Sequence, residues 1–178
     1  NMTKYAVVAG LAVALMTTQI IAQGPSAVRL QLAPGSQLSF EGTSTLHGFT
    51  CTTKDVQAYI DVDPEYRTSS LSKLDHPIVA VQVVIPVKSL ACGGELEKNM
   101  FKTLNAAEHP YIVYKLGTYD VVSGTATATG LTIAADGRLA ISGKENPIAL
   151  RVDAARGTDG IVTAKGEQTI KMTDFGIK

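Results

Sequence analysis

Few residues in this chain have the type and spacing to do chemistry, and each such group also has a plainer reading. Ser44, Thr45 and His47 fall within GTSTLHGF, which invites a hydroxyl nucleophile beside an imidazole base. In an extended strand, however, Thr45 and His47 share one face and Ser44 points to the other. A catalytic triad is recognised by geometry and roles, so nearness in sequence is no evidence for one. His47 therefore reads as a structural or pocket-lining residue. His76 and His109 each precede a proline and read as turn residues. Asp61 and Asp63 (DVDPE) offer two carboxylates without a full calcium ligand set, and read as a solvated turn. Gly93-Gly94 could present backbone N–H groups to an anion at a helix start. With no Lys-Ser/Thr after it and no nucleotide-binding strand before it, it reads as a plain loop. There is no nucleophile elbow, no histidine-rich metal motif and no paired-carboxylate segment. The expectation is a protein that is not an enzyme and carries no metal and no cofactor.

The elements that must position these residues begin after an N-terminal leader. Lys4 precedes an uncharged run, Tyr5 to Met16, followed by TTQIIAQG. A short positive region, an apolar stretch of ~7–15 residues and a small residue at the cut describe a secretory signal peptide. The run is too short for a spanning helix, which needs ~20 residues. Ile20 and Ala22 suit the positions before a cut, so residues 1–22 are expected to be a signal peptide and residues 23–178 the domain, periplasmic or secreted. The alternative is an uncleaved anchor. In an oxidising compartment, Cys51 and Cys92 read first as one disulfide. Closing a loop of that length is worth roughly 3–4 kcal/mol by the chain-entropy model. Two separate buried thiols is the alternative.

Of 178 residues, 45% are hydrophobic, 18% charged and 6% aromatic, with no Trp and a formal net charge of zero. Losing Lys4 with the leader takes that balance to −1. Such a chain is too apolar and too neutral to be disordered, and it lacks the basic excess of a nucleic-acid binder. One domain is expected.

Alternation dominates the domain. Val79, Val81, Val83, Ile85 and Val87 recur in period 2, as do Val28, Leu30 and Leu32, Leu38 and Phe40, Leu139 and Ile141, and Ile148, Leu150 and Val152. Period 2 means one buried face and one wet face, the pattern of antiparallel sheet. Turn signals stand at Pro34-Gly35, Asp136-Gly137, Glu145-Asn146-Pro147 and Asp159-Gly160, with Asp136-Gly137 the best hairpin candidate. About eight short strands of this kind point to a barrel or sandwich. Residues 93–105 break the pattern: Leu96, Met100 and Leu104, with Phe101 beside them, make an amphipathic helix of about three turns. A second short helix is expected within 66–75. A barrel of this size holds packed side chains or one small ligand, and the 93–105 helix could close its mouth.

Four segments together resemble the YceI-like family of extracytoplasmic lipid-binding proteins: LSFEGTSTLHGFTCTTKDVQAYIDVD (38–63), VVIPVKSLACGGELEKNMFKTLNAAEHPYIVYKL (83–116), LAISGKENPIALRV (139–152) and KGEQTIKMTDFGIK (165–178). The resemblance implies an all-β, eight-stranded antiparallel, lipocalin-like barrel, with one or two short helices near its mouth. It implies a long isoprenoid chain inside, such as a polyprenyl lipid or a quinone tail, and no established reaction. By position, His47 and Phe49 match the opening motif, Met100 and Phe101 the helix, and Ile112 the strand that follows it. Phe40, Val81, Val83, Ile85, Tyr114, Ile141 and Leu150 match apolar strand positions whose inward direction rests on alternation; Leu104 completes the helix stripe. The resemblance also implies a last strand shortened at Lys178, directly after the end motif.

The leading expectation is thus a carrier of an apolar lipid, with no nucleic-acid partner, no membrane span once the leader is removed, and room for a homodimer. A β-rich stress or interaction module with a self-filled core is the second reading. An esterase using Ser44 and His47 is the third.

Overall fold

The computed structural model describes residues 27–43, 48–67, 69, 76–122, 127 and 129–177. The expected signal peptide, His47 and most of the expected 66–75 helix lie outside them. Overlapping the start of that last stretch, Pro64–Arg67 forms a single 3-10 turn.

The protein is mostly β, a curled antiparallel half-barrel with one α-helix. Its strands are β1 (Val28–Leu30), β2 (Leu38–Thr43), β3 (Gly48–Thr53), β4 (Gln57–Val62), β5 (Ile78–Pro86), β6 (Tyr111–Val121), β7 (Gly130–Ile141), β8 (Lys144–Arg156) and β9 (Val162–Gly166). Seven of them form one sheet in the order β1-β4-β5-β6-β7-β8-β9, while β2 and β3 pair only with each other. The eight-strand expectation thus meets an arrangement of seven plus two among the described residues. The turn Pro34-Gly35 and the spacing before β4 let the chain leave the main sheet for a hairpin and then return.

Two of the expected turns are strand interior instead. Asp136-Gly137 lies inside β7, paired with Thr118 and Leu116 of β6. The β7–β8 turn is Ser142-Gly143, whose φ angles of 50° and 76° give the doubly left-handed backbone of a tight two-residue hairpin. Asn146-Pro147 lies inside β8. Proline is tolerated there because β9 pairs only with Val152–Arg156, so no partner strand on that edge is owed an N–H. Pro34-Gly35 and Asp159-Gly160 are turns as expected.

The one helix, α1 (Gly94–Thr103), follows Gly93, which stands at φ 85°. Glu95 and Glu97 occupy its first turn and Lys102 its last, each favourable to the helix dipole. It ends in a Schellman motif. Asn105 takes φ 49° and donates to the Lys102 carbonyl (3.0 Å), and Ala106 donates to that of Phe101 (2.9 Å).

Two apolar cores form. The first joins Val87, Leu104, Ala106, Ile141, Phe175 and Ile177, with Met100, Phe101, Ile112 and Leu139 against it. The second joins Tyr119, Leu131, Ile133 and Ala135, with Tyr66, Ile78, Leu116, Leu150 and Val152 against it. No helix of the described residues is long and apolar enough to cross a membrane.

Candidate ligand-binding face

Cross-strand partners in an antiparallel sheet share a face, so the register shows which side chains stand together. One row runs Ala58, Val83, Tyr114, Leu139 and Asn146 from β4 to β8. Beside it lie Ile60 with Val81, Ile85 with Ile112, and Leu116, Gly137 and Ile148. Farther along come Tyr119, Ala135 and Leu150, then Val121, Ile133 and Val152. Two one-residue bulges, at Val79 in β5 and Gly117 in β6, preserve this sorting. Without them every residue beyond would have changed sides.

The result is one nearly unbroken apolar face. Every buried apolar residue of the seven-stranded sheet belongs to it: Val62, Ile85, Tyr119, Leu131, Ile133, Ala135 and Ile141. The opposite face carries most of the charges. Arg29 donates to both carboxylate oxygens of Asp61, at 2.8 and 2.9 Å, and Arg138 pairs with Glu145. The Arg29 hydrogen bond holds the Asp61 carboxyl below its ordinary range. Asp63 instead accepts the Glu65 backbone N–H at 2.7 Å. The two aspartates of DVDPE therefore serve an ion pair and a turn.

The cores sit toward the two ends of the apolar face. Between them, Val81, Val83, Tyr114 and Ile148 are only half-buried. Tyr114 is the phenol in this middle stretch. A Cβ placed on Gly137 would stand 2.6 Å from its ring carbon Cε2 and 2.7 Å from its hydroxyl oxygen. The ring therefore lies down on the glycine, which explains a glycine inside a strand. Burial raises the Tyr114 pKa, and the Asp136 charge adds to the rise.

At the α1 end, Cys51 and Cys92 form the disulfide expected from the sequence, and Met100 sulfur lies 3.8 and 3.4 Å from the two cysteine sulfurs. The bond ties β3 to the segment before α1. Thr52 and Ala91 also exchange two backbone hydrogen bonds there (3.0 and 2.8 Å), and the Thr53 and Ser89 hydroxyls lie 2.8 Å apart.

The residues singled out from sequence thus divide. Val81, Val83, Ile85, Ile112, Tyr114, Ile141 and Leu150 share the apolar face. Met100, Phe101 and Leu104 belong to the first core. Phe40 stands opposite Cys51 in the separate hairpin, and Phe49 opposite Gly42. Sequence reasoning took Gly137 for a turn residue and passed over Arg156 and Tyr66 as site residues. For Gly137 the signal was present, since a glycine replaces an apolar residue in strict alternation between Ala135 and Leu139.

The family model for the YceI-like domain matches residues 31–178. The chain belongs to the YceI-like family. The family is known for binding hydrophobic ligands. Among solved structures, the YceI protein of Campylobacter jejuni is similar to this chain at 20% identity, with a TM-score of 0.53, covering 86% of this chain and 78% of its own. BcnA of Burkholderia cenocepacia is similar at 17% identity, with a TM-score of 0.58, covering 78% of this chain and 79% of its own. At these identities the likeness is one of YceI-like fold. No functionally curated protein matches the sequence.

Proposed function

We propose that this YceI-like protein is a periplasmic or secreted carrier that holds an apolar, isoprenoid-type lipid, such as a polyprenyl chain or a quinone tail, along the inner face of its curled sheet. The observation that carries the reading is the apolar face whose ends are packed by the protein's own side chains and whose middle is not. In this reading the sheet and the β2–β3 hairpin close around the ligand as a barrel. Burying ten CH2-sized groups contributes about 8 kcal/mol before ordering costs, roughly the whole free energy of micromolar binding, so the reading calls for a chain longer than that. Neither a nucleophile nor a metal is needed, and no reaction is assigned.

The test is mass spectrometry of an organic extract of the purified protein, joined to displacement of N-phenyl-1-naphthylamine by added farnesol. The absence of Trp keeps the probe signal clean. A co-purifying lipid, or saturable displacement, supports the carrier. An empty extract together with no displacement overturns it.

One observation favours the second reading, a self-filled β-rich interaction module. A hollow of about 480 Å³ among the described residues lies along the edge of β8 against residues 168–175, and of the middle residues Ile148 alone lines it. An empty extract would favour that module.

A further inference from the structure

Arg156 ends β8 opposite Val162, in register with Ala154, Val152 and Leu150 and so on the apolar face. Its guanidinium carbon stands 4.1 Å from the centroid of the Tyr66 ring. Nη2 donates to the Tyr66 carbonyl and Nη1 to that of Ser69, the latter at 3.3 Å. Nε is shut off from solvent and has no partner, the one buried side-chain polar atom so placed among the described residues.

No carboxylate pairs with this cation among the described residues. Three acids of the described residues have partners elsewhere: Asp153 accepts from Thr132, Asp159 from the Ile161 N–H, and Asp63 from the Glu65 N–H. A half-buried guanidinium with two neutral acceptors, an aromatic face and no counter-charge among the described residues is an incomplete arrangement, because desolvating a charge is costly unless an opposite charge compensates. Tyr66 packs against the second core, which floors the apolar face at this end. A fixed positive charge therefore terminates a long apolar surface.

We propose that Arg156 is the head-group subsite for an amphiphile, an apolar chain lying along the inner face with an oxyanion, phosphate or carboxylate, at its end. This rests on the carrier reading and narrows its ligand class. Arginine suits the role because its charge persists at all working pH values and its N–H groups match oxyanion geometry.

The test compares three ligands with one chain, farnesol, farnesoic acid and farnesyl phosphate, by displacement of N-phenyl-1-naphthylamine. Wild type should prefer at least one of the anions over the alcohol by about tenfold or more, the scale of one hydrogen bond to a charged group. The two anionic arms separate carboxylate from phosphate. In Arg156→Gln the ratio of anion to alcohol affinity should collapse toward one, and in Arg156→Lys it should partly return. A wild type without the preference overturns the subsite whether or not the variants fold, as does a preference that persists in Arg156→Gln. An arginine that only fastens Tyr66 and Ser69 would weaken all three ligands alike and leave their ratio unchanged, which also overturns it. Farnesol binding without anion preference removes the subsite and leaves the carrier; binding of none of the three removes both.

Discussion

Breaking the Cys51–Cys92 bond should loosen one part of the molecule more than the rest. The two cysteines are 41 residues apart, and for a loop of that size the chain-entropy relation gives about 4 kcal/mol at 25 °C. The direct bonds described between the β2–β3 pair and the rest are two backbone hydrogen bonds and one hydroxyl pair. At about 1 kcal/mol each they sum to less than the disulfide. The main sheet, in contrast, is continuous from β1 to β9 without help from this hairpin. The double variant Cys51→Ala/Cys92→Ala should therefore unfold in urea at a midpoint lower by roughly 2 M, taking a slope of about 2 kcal/mol/M. Alanine is the apt replacement because Cys51 is fully buried, and a serine hydroxyl there would add its own desolvation cost. Hydrogen exchange should show β2 and β3 amides losing protection first while β7 and β8 keep theirs, the behaviour of a separate opening unit. A loss below about 1 kcal/mol would refute the loop argument. Equal loss of protection in all strands would refute the claim that the hairpin depends on the bond more than the sheet does.

Two more outcomes follow from the middle of the apolar face. Gly137→Ala should destabilise by about 1–3 kcal/mol, since its Cβ would meet the Tyr114 ring and also the Lys115 carbonyl at 2.6 Å. Calorimetry of Tyr114→Ala and of the double variant should show a smaller penalty once the ring is gone, though not zero, because the carbonyl stays; an unchanged penalty would mean the ring is not what the glycine accommodates. Tyr114 also sets an alkaline limit. Burial holds its folded pKa above the ordinary 10.0, so the neutral phenol is favoured in the native state. That contribution is complete below pH 10 and is lost as pH rises through the folded value. In Tyr114→Phe the alkaline fall in melting temperature should be shallower than in wild type, and parallel curves would count against the assignment.

How far the sequence discloses this molecule depends on which interactions are local. The alternation in 81–85 and 148–152 reports strand and sidedness directly, because period 2 belongs to a single segment, whereas Val79, read on the same face, is the exposed residue of a bulge. The α1 stripe, and the pairing of Cys51 with Cys92, were likewise legible from residue type and spacing. Strand partnership is different. Nothing within residues 38–53 says that β2 and β3 pair with each other and not with the main sheet. The Asp136-Gly137 reading failed for a related reason. An Asp-Gly pair is the sign of a hairpin turn, yet here the glycine makes room for a tyrosine more than 20 residues earlier, while Ser142-Gly143 does the turning. Arg156 is the extreme case. Its partners Tyr66 and Ser69 are 90 and 87 residues away, and no periodic signal connects them.

The half of β8 that β9 leaves uncovered has a consequence for life at high concentration. A free strand edge is a template on which another chain can add. Three features stand against that here. Pro147 interrupts the row of N–H donors, Lys144 and Glu145 place charges at its start, and the segment 168–175 runs alongside, fastened by the Asn146 side-chain amide to the Asp174 carbonyl at 2.9 Å. The C-terminal segment thus acts as a guard over the edge as well as an anchor for Phe175 and Ile177 in the first core. Chains shortened before Gln168 would present that row of carbonyls and amides to one another, and their colloidal stability, more than their fold, would be the first property to suffer.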